Sequence, residues 1–147
     1  MLPRIVEALS AIRVGTDNHK LVTHDTLQVF IPGVAAGIQV DYTIAPRGYA
    51  TIHYRWVPDA AMVPNAWTVT QIQGGVHWLN QLADASLLRD GAHQLIINTV
   101  RDPILMTITN VSAAVQFWRE TYYFLVVSSA DDYKTVQEYM NRLGGVV

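Results

Sequence analysis

From Thr26 onward apolar residues return at every second position, the period of a strand with one buried face. In TLQVFIPG, Leu27, Val29 and Ile31 alternate with Thr26, Gln28 and Phe30, and Pro32-Gly33 closes the run. In GIQVDYTIAP, Ile38, Val40, Tyr42 and Ile44 alternate with Gln39, Asp41 and Thr43. The rhythm resumes after Pro46-Arg47-Gly48, with Ala50, Ile52, Tyr54 and Trp56 set against Tyr49, Thr51, His53 and Arg55. Proline supplies the fixed φ and glycine tolerates a positive one, so APRG reads as a bulged turn that makes residues 41–56 an antiparallel hairpin. AWTVTQIQGG predicts a further strand, and HQLIINTV, ILMTITN and AAVQFWRETYYFLVV predict three more. Breaks fall at Arg101-Asp102-Pro103 and Asn110-Val111-Ser112, and Ile104, Met106 and Ile108 face away from Thr107 and Thr109.

Three stretches lengthen the period to between three and four. Over 3–14, Pro3 suits a first turn, Ile5, Leu9 and Ile12 share a stripe, and Gly15 stops the helix. Over 76–91, Leu79, Leu82, Ala83 and Leu87 fall at helical spacing with Gly91 just past the end, which predicts a helix crossing between two sheets. Near the C-terminal end, Ser129 stands three residues before Asp132 as a helix cap. Asp131 and Asp132 suit the dipole, Tyr133, Val136, Met140 and Leu143 form a stripe, and Gly144 ends it. About seven short strands broken by Pro, Gly and Asn turns predict a mainly β chain. The expected fold is an antiparallel β-sandwich, jelly-roll-like, with a short N-terminal helix, one connecting helix and a C-terminal amphipathic helix, forming a single domain over 1–147.

Composition adds a reason to expect partners. Of the 147 residues, 50% are hydrophobic and only 15% charged. The charged fraction is low, and the apolar surface can go into one dense core or into a core plus contacts with other subunits, the second being favoured by the low charge density. No apolar run approaches the ~18 residues of a membrane span, so association with copies or companions is expected to cover the remainder. The net charge is −2, and two lysines, Lys20 and Lys134, stand among ten basic residues without a cluster. Such a surface is a poor phosphate tracker, and no direct nucleic-acid partner is expected. The absence of cysteine removes disulfides, thiolate nucleophiles and cysteine metal sites. Glu7 interrupts the apolar rhythm of MLPRIVEALSAIRVG, so no signal peptide is read there and cytoplasmic synthesis is expected.

Candidate chemistry is sparse. His19 and His24 lie in a turn-rich segment, while His53, His77 and His93 fall on separate elements without the spacing of a metal site. Only three glutamates occur, and nothing in the spacing brings Asp41 and Glu120 together as a catalytic pair. Ser128-Ser129 belongs to a cap, and Gly74-Gly75 lacks the context of a phosphate loop. Asn110-Val111-Ser112 fits a glycosylation acceptor but reads as a turn. Trp56, Trp67, Trp78 and Trp118 read first as core or interface anchors, and only second, if exposed, as a sugar-stacking face. No enzyme activity, cofactor or metal is expected, although a small cupin-like enzyme remains the third reading.

The strands VFIPGVAAGIQVDYTIAPRGYATIHYRW and PILMTITNVSAAVQFWRETYYFLVV, joined to helical ends and a low charge, resemble the small auxiliary proteins of tailed-phage virions, in particular head decoration (cement) proteins. That resemblance implies a structural virion protein that binds and stabilises an assembled capsid lattice. It implies homo-oligomers, trimers among them, contacts with the major capsid protein or other virion subunits, and residence in the virion after assembly in the host cytoplasm. The terminal segments would reach neighbouring subunits. The candidate interface comprises Ile5, Leu9 and Ile12 of the first helix, Tyr49, His53 and Arg55 of the hairpin, and Tyr133, Met140 and Leu143 of the last helix. The alternative is a carbohydrate- or receptor-binding module of a fibre or tail, marked by exposed aromatics in a row.

Overall fold

The alternating runs fold as antiparallel strands, arranged in two sheets that bury apolar faces against each other. The computed structural model describes residues 2–83, 89–90 and 95–142, with side chains described outside 2–4, 77–83 and 89–90. In chain order the elements are α1 (Leu2–Ser10), β1 (Arg13–Val14), β2 (His19–Lys20), β3 (Thr23–Val34), β4 (Gln39–Ile44), β5 (Ala50–Pro58) and β6 (Trp67–Gln73). They continue with β7 (Val76–Ala83), β8 (Arg89–Asp90), β9 (Ile96–Thr99), β10 (Ile104–Asn110), β11 (Gln116–Val127) and α2 (Ala130–Arg142). One sheet runs β4-β10-β6-β7; the other runs β3-β11-β5, with β8 and β9 both paired to the far side of β5. With the two-residue strands set aside, the first, eighth, third and sixth strands form one sheet and the second, seventh, fourth and fifth the other. This is the strand order of a jelly roll. The expected antiparallel β-sandwich is the observed fold.

Two layers of apolar packing follow. Trp67, Val69, Ile104, Met106 and Ile108 from one sheet meet Trp56, Trp118, Tyr122 and Phe124 from the other in the core between the sheets. The helices lie on the outer face of the β3-β11-β5 sheet, where Ile5, Leu9, Val136 and Met140 pack on Ala50, Ile52, Leu125 and Val127. The C-terminal cap forms as expected, with the Asp132 backbone N–H donating to Ser129 Oγ at 3.1 Å.

Three expectations are corrected. Residues 41–56 are not a hairpin: β4 pairs with β10, β5 pairs with β11 and β9, and residues 45–49 carry the chain from one sheet to the other. Ala50, Thr51, Ile52 and His53 are all buried, which demands a central strand covered on both faces, a place a two-stranded hairpin does not provide. Gly48 is required at this corner, because its φ of 65° lies in the left-handed region that favours glycine. A Cβ there would also stand 2.9 Å from the Val127 carbonyl oxygen. Residues 76–83 of the expected connecting helix are strand β7, paired to β6 through Gly74-Gly75. The φ values of these glycines, 56° and 78°, are those of a mirror-image hairpin turn. Residues 84–88 and 91 of that expectation lie outside the described residues. The N-terminal helix ends at Ser10, and Arg13–Val14 instead pairs with His19–Lys20.

A register shift between Tyr123 and Phe124 also changes how β5 is used. Tyr54 is the extra residue of a bulge, which reverses the side-chain alternation. Ala50 and Ile52 therefore face the helices, while Trp56, expected on the same face, turns into the core between the sheets.

Candidate functional site: a surface groove and a buried carboxylate

The inter-sheet corner places Tyr49 at the surface, and the cap that starts α2 brings Tyr133 beside it, with ring centroids 5.5 Å apart. Gly48, Thr99, Val100 and Arg101 complete a shallow groove of about 610 Å³ around the two rings. Val100 is 77% exposed. It is the most exposed large hydrophobic side chain among the described residues. Two residues of the expected interface, distant in sequence, thus converge. Burial pushes the Tyr133 phenol above its ordinary value, with the neighbouring Tyr49 adding to the shift.

The remaining expected interface residues divide. Arg55 is exposed, its guanidinium 5.1 Å from the Tyr123 ring centre, and Ile12 is half-buried against the helix-facing core. Ile5, Leu9 and Met140 are buried inside the chain, so the apolar stripes of both helices are used within the fold and offer little to a neighbour. His53 is also buried, between the sheets rather than on a solvent face, with its ring against Tyr122 and Phe124 at 5.6 and 5.0 Å. Leu143 lies outside the described residues.

The uncovered half of the β3-β11-β5 sheet carries a second surface. Arg119 lies over the rings of Phe30 and Phe117, at 5.7 and 5.3 Å from their centres, and is ion-paired with Asp59. That hydrogen bond holds the Asp59 carboxyl below its usual range. Phe30 is 53% exposed and Val115 68%. Arginine braced on aromatic rings is the composition of protein-contact centres. Trp56, Trp67 and Trp118 are buried, which removes three of the four residues of the sugar-stacking reading; the side chain of Trp78 is outside those described.

His19 fastens the N-terminal turn to α2. Its Nδ1 meets Asp17 at 2.8 Å and its Nε2 meets Asp132 at 3.1 Å. Hydrogen bonds first to Asp17 and then to Asp132 raise the imidazole above its ordinary value. Folding therefore gains from this contact below the ordinary histidine range and loses the gain as pH rises through the raised value. His19→Asn is expected to lower the thermal midpoint at pH 5.5 and to leave it nearly unchanged at pH 9, as read by circular dichroism melts at both pH values.

Inside the sandwich lies a carboxylate to which the sequence pattern assigns no role. Glu120 of β11 is fully buried in the core between the sheets. Tyr42 Oη from β4 and Trp118 Nε1 donate to its Oε2, and Trp56 Nε1 donates to Oε1 at 3.4 Å. The Tyr122 hydroxyl helps to hold the ionised form without a hydrogen bond of normal geometry. Burial pushes the Glu120 carboxyl up to about 7, against the donors that favour its charge. Asp41 points to solvent from β4, while the next residue, Tyr42, reaches the carboxylate. Beside this cluster, His53, Gln71, Trp56, Ile104 and Tyr122 line a cavity of about 10 Å³. That is room for one water. Glu120 itself does not line it.

Among the described residues no three His, Asp or Glu side chains are gathered to hold a metal ion. No protein-family model matches the chain, and a search of curated proteins finds no match.

Proposed function

We propose that the protein works by adhesion: a non-enzymatic structural subunit that associates with its own copies and with a larger assembly, of the kind that decorates and stabilises a virion lattice. The observation that carries this reading is the convergence of Tyr49 and Tyr133 with exposed Val100 and Arg101 in one groove. Tyrosine and arginine around an exposed aliphatic residue make an interface anchor: tyrosine buries large area at modest entropic cost, and arginine adds directed hydrogen bonds. The Phe30–Arg119–Phe117 surface gives a second attachment point on the uncovered half of the β3-β11-β5 sheet. A subunit with two such faces joins a lattice through several modest contacts, whose avidity exceeds that of any one of them.

Analytical ultracentrifugation of the purified protein at micromolar concentrations tests this reading. The unmodified chain is expected to sediment as a small oligomer, and Tyr49→Ser with Val100→Ser to shift it toward the monomer while its circular dichroism spectrum stays the same. A monomer at every concentration, or an oligomer indifferent to both substitutions, would remove the groove as the contact.

A further inference from the structure

Glu120 is held by groups from three strands, and every one of them is neutral. Tyr42 crosses from the β4-β10-β6-β7 sheet, Trp56 comes from β5, and Trp118 stands two residues earlier on β11. An indole N–H only donates, whereas a phenol can also accept. The donors suit an ionised carboxylate; burial in the core, with no cation paired to it among the described residues, opposes it. We propose that Glu120 is a proton-operated clamp between the two sheets: ionised, it takes Tyr42 and both indoles as donors, and on binding a proton it donates to Tyr42 Oη and frees the core of its charge, tightening the jelly roll in acid.

The step is a simple proton uptake from solvent. One O–H bond forms on the carboxyl and none breaks, since Tyr42 keeps its own proton: burial first, and then the nearby carboxylate, raise that phenol far above its ordinary value. Among the described residues few other groups compete for the assignment. Trp56 and His53 face the cluster from β5, Tyr122 and Trp118 from β11, Tyr42 from β4 and Gln71 from β6, while Tyr54 and Arg55 of β5 line the cavity beside it. His53 is the other member of this set whose side-chain type titrates near neutrality, and its ring is 5.6 Å from that of Tyr122. The Arg119–Asp59 pair lies on the opposite face of β11, and Asp41 is on the solvent face of β4.

The direction of the effect follows from linkage. A carboxyl raised from 4.5 to about 7 holds its proton in the folded chain over a range where the unfolded chain has lost it. Stability from this group is therefore complete below about pH 4.5 and falls as pH rises through 7. The folding equilibrium should change over that range by on the order of a few hundred-fold.

Two measurements decide the matter. The indole N–H resonances of Trp56 and Trp118 are expected to titrate together near pH 7, and urea unfolding of the unmodified chain to show the acid-favoured trend. Glu120→Gln is expected to abolish both the titration and that component of the trend. Indole signals that stay fixed between pH 5 and 9 would overturn the proposal, as would a stability profile that Glu120→Gln leaves unchanged. If titration persists in Glu120→Gln and vanishes in His53→Gln, the proton belongs to the imidazole and the clamp is refuted. Should Glu120→Gln fail to fold, the indole titration of the unmodified chain and of His53→Gln decides alone. Because the clamp is read from the core and the adhesion from the surface, either can fail without the other.

Discussion

Asn110→Ala is expected to cost about 3 kcal/mol, more than most single substitutions outside an apolar core. The side chain is fully buried, and its amide is satisfied on both sides. Nδ2 donates to the carbonyls of Val34 at 2.9 Å and Ala114 at 2.8 Å, and Oδ1 accepts from the Ser112 backbone N–H at 2.9 Å and its hydroxyl at 2.7 Å. Truncation leaves the Val34 carbonyl and the Ser112 N–H without these partners, and an orphaned buried polar group costs about 1–3 kcal/mol. Ala114 retains the Ser112 hydroxyl at 3.0 Å, so its loss is smaller. Asn110 ends β10 while Val34 ends β3 of the facing sheet, so the substitution opens one end of the sandwich. Differential scanning calorimetry should show a midpoint lower by ~6–12 °C. Ser112→Ala, which keeps the Asn110 amide on both carbonyls, should move it far less.

Asn110 has counterparts. Asn98 of β9 donates to the Ile44 carbonyl at 2.8 Å and accepts from the Ile104 N–H at 2.9 Å, both in the facing sheet. Gln73 of β6 donates to the carbonyl of Ile97 in β9 at 2.5 Å, and also to that of Asp102 at 2.7 Å. Together with Tyr42 and Glu120 these amides fix the register of the sheets. Hydrophobic contact is non-directional and tolerates sliding, whereas a buried hydrogen bond is satisfied in one arrangement only.

Some of this is plain in the sequence. Ile104, Met106 and Ile108 face the core as their spacing requires, and Ser129 caps α2, because a two-residue period and a cap are local signals. Partner choice is not local. The alternation in 41–56 reports which side of a strand is dry, and says nothing of whether the dry side faces a hairpin mate or a strand seventy residues away. Residues 76–83 mislead for a related reason: their leucines keep helical spacing, while Gly74-Gly75, set aside as a phosphate loop, is itself a hairpin signal. The interface expectation fails in part on the same ground, since an amphipathic stripe such as Ile5–Leu9 marks burial without saying by what. Glu120, by contrast, is within reach. It shares the parity of Trp118, Tyr122 and Phe124 along β11, so a carboxylate on the apolar face of a central strand is written in the alternation itself. Asn98 carries the same sign between Ile96 and Val100, in a run whose hydrophobicity draws attention away from it.

Trp67→Ala is expected to be the most damaging of the substitutions considered, at about 3–5 kcal/mol. Trp67 opens β6 fully buried; its indole meets that of Trp118 edge-on, centres 5.4 Å apart, and its Nε1 donates to the Phe117 carbonyl at 3.1 Å. The substitution therefore leaves a cavity in the core, strands a carbonyl on the facing sheet and removes an aromatic contact at once. Against a total stability of about 5–15 kcal/mol, that loss brings the domain near its unfolding threshold. Trp67→Phe separates the contributions: it keeps most of the ring and gives up the hydrogen bond, so about 1–2 kcal/mol should be lost. Urea titration of both variants, followed by near-ultraviolet circular dichroism, checks the order. Equal losses for Phe and Ala would mean that the bond to Phe117 outweighs the packing. An unchanged midpoint for Ala would mean that Trp67 does not fill the core between the sheets. Because Trp118 also donates to Glu120, the Ala variant should in addition displace the Trp118 indole resonance, so a disturbance begun in packing would be read at the buried carboxylate.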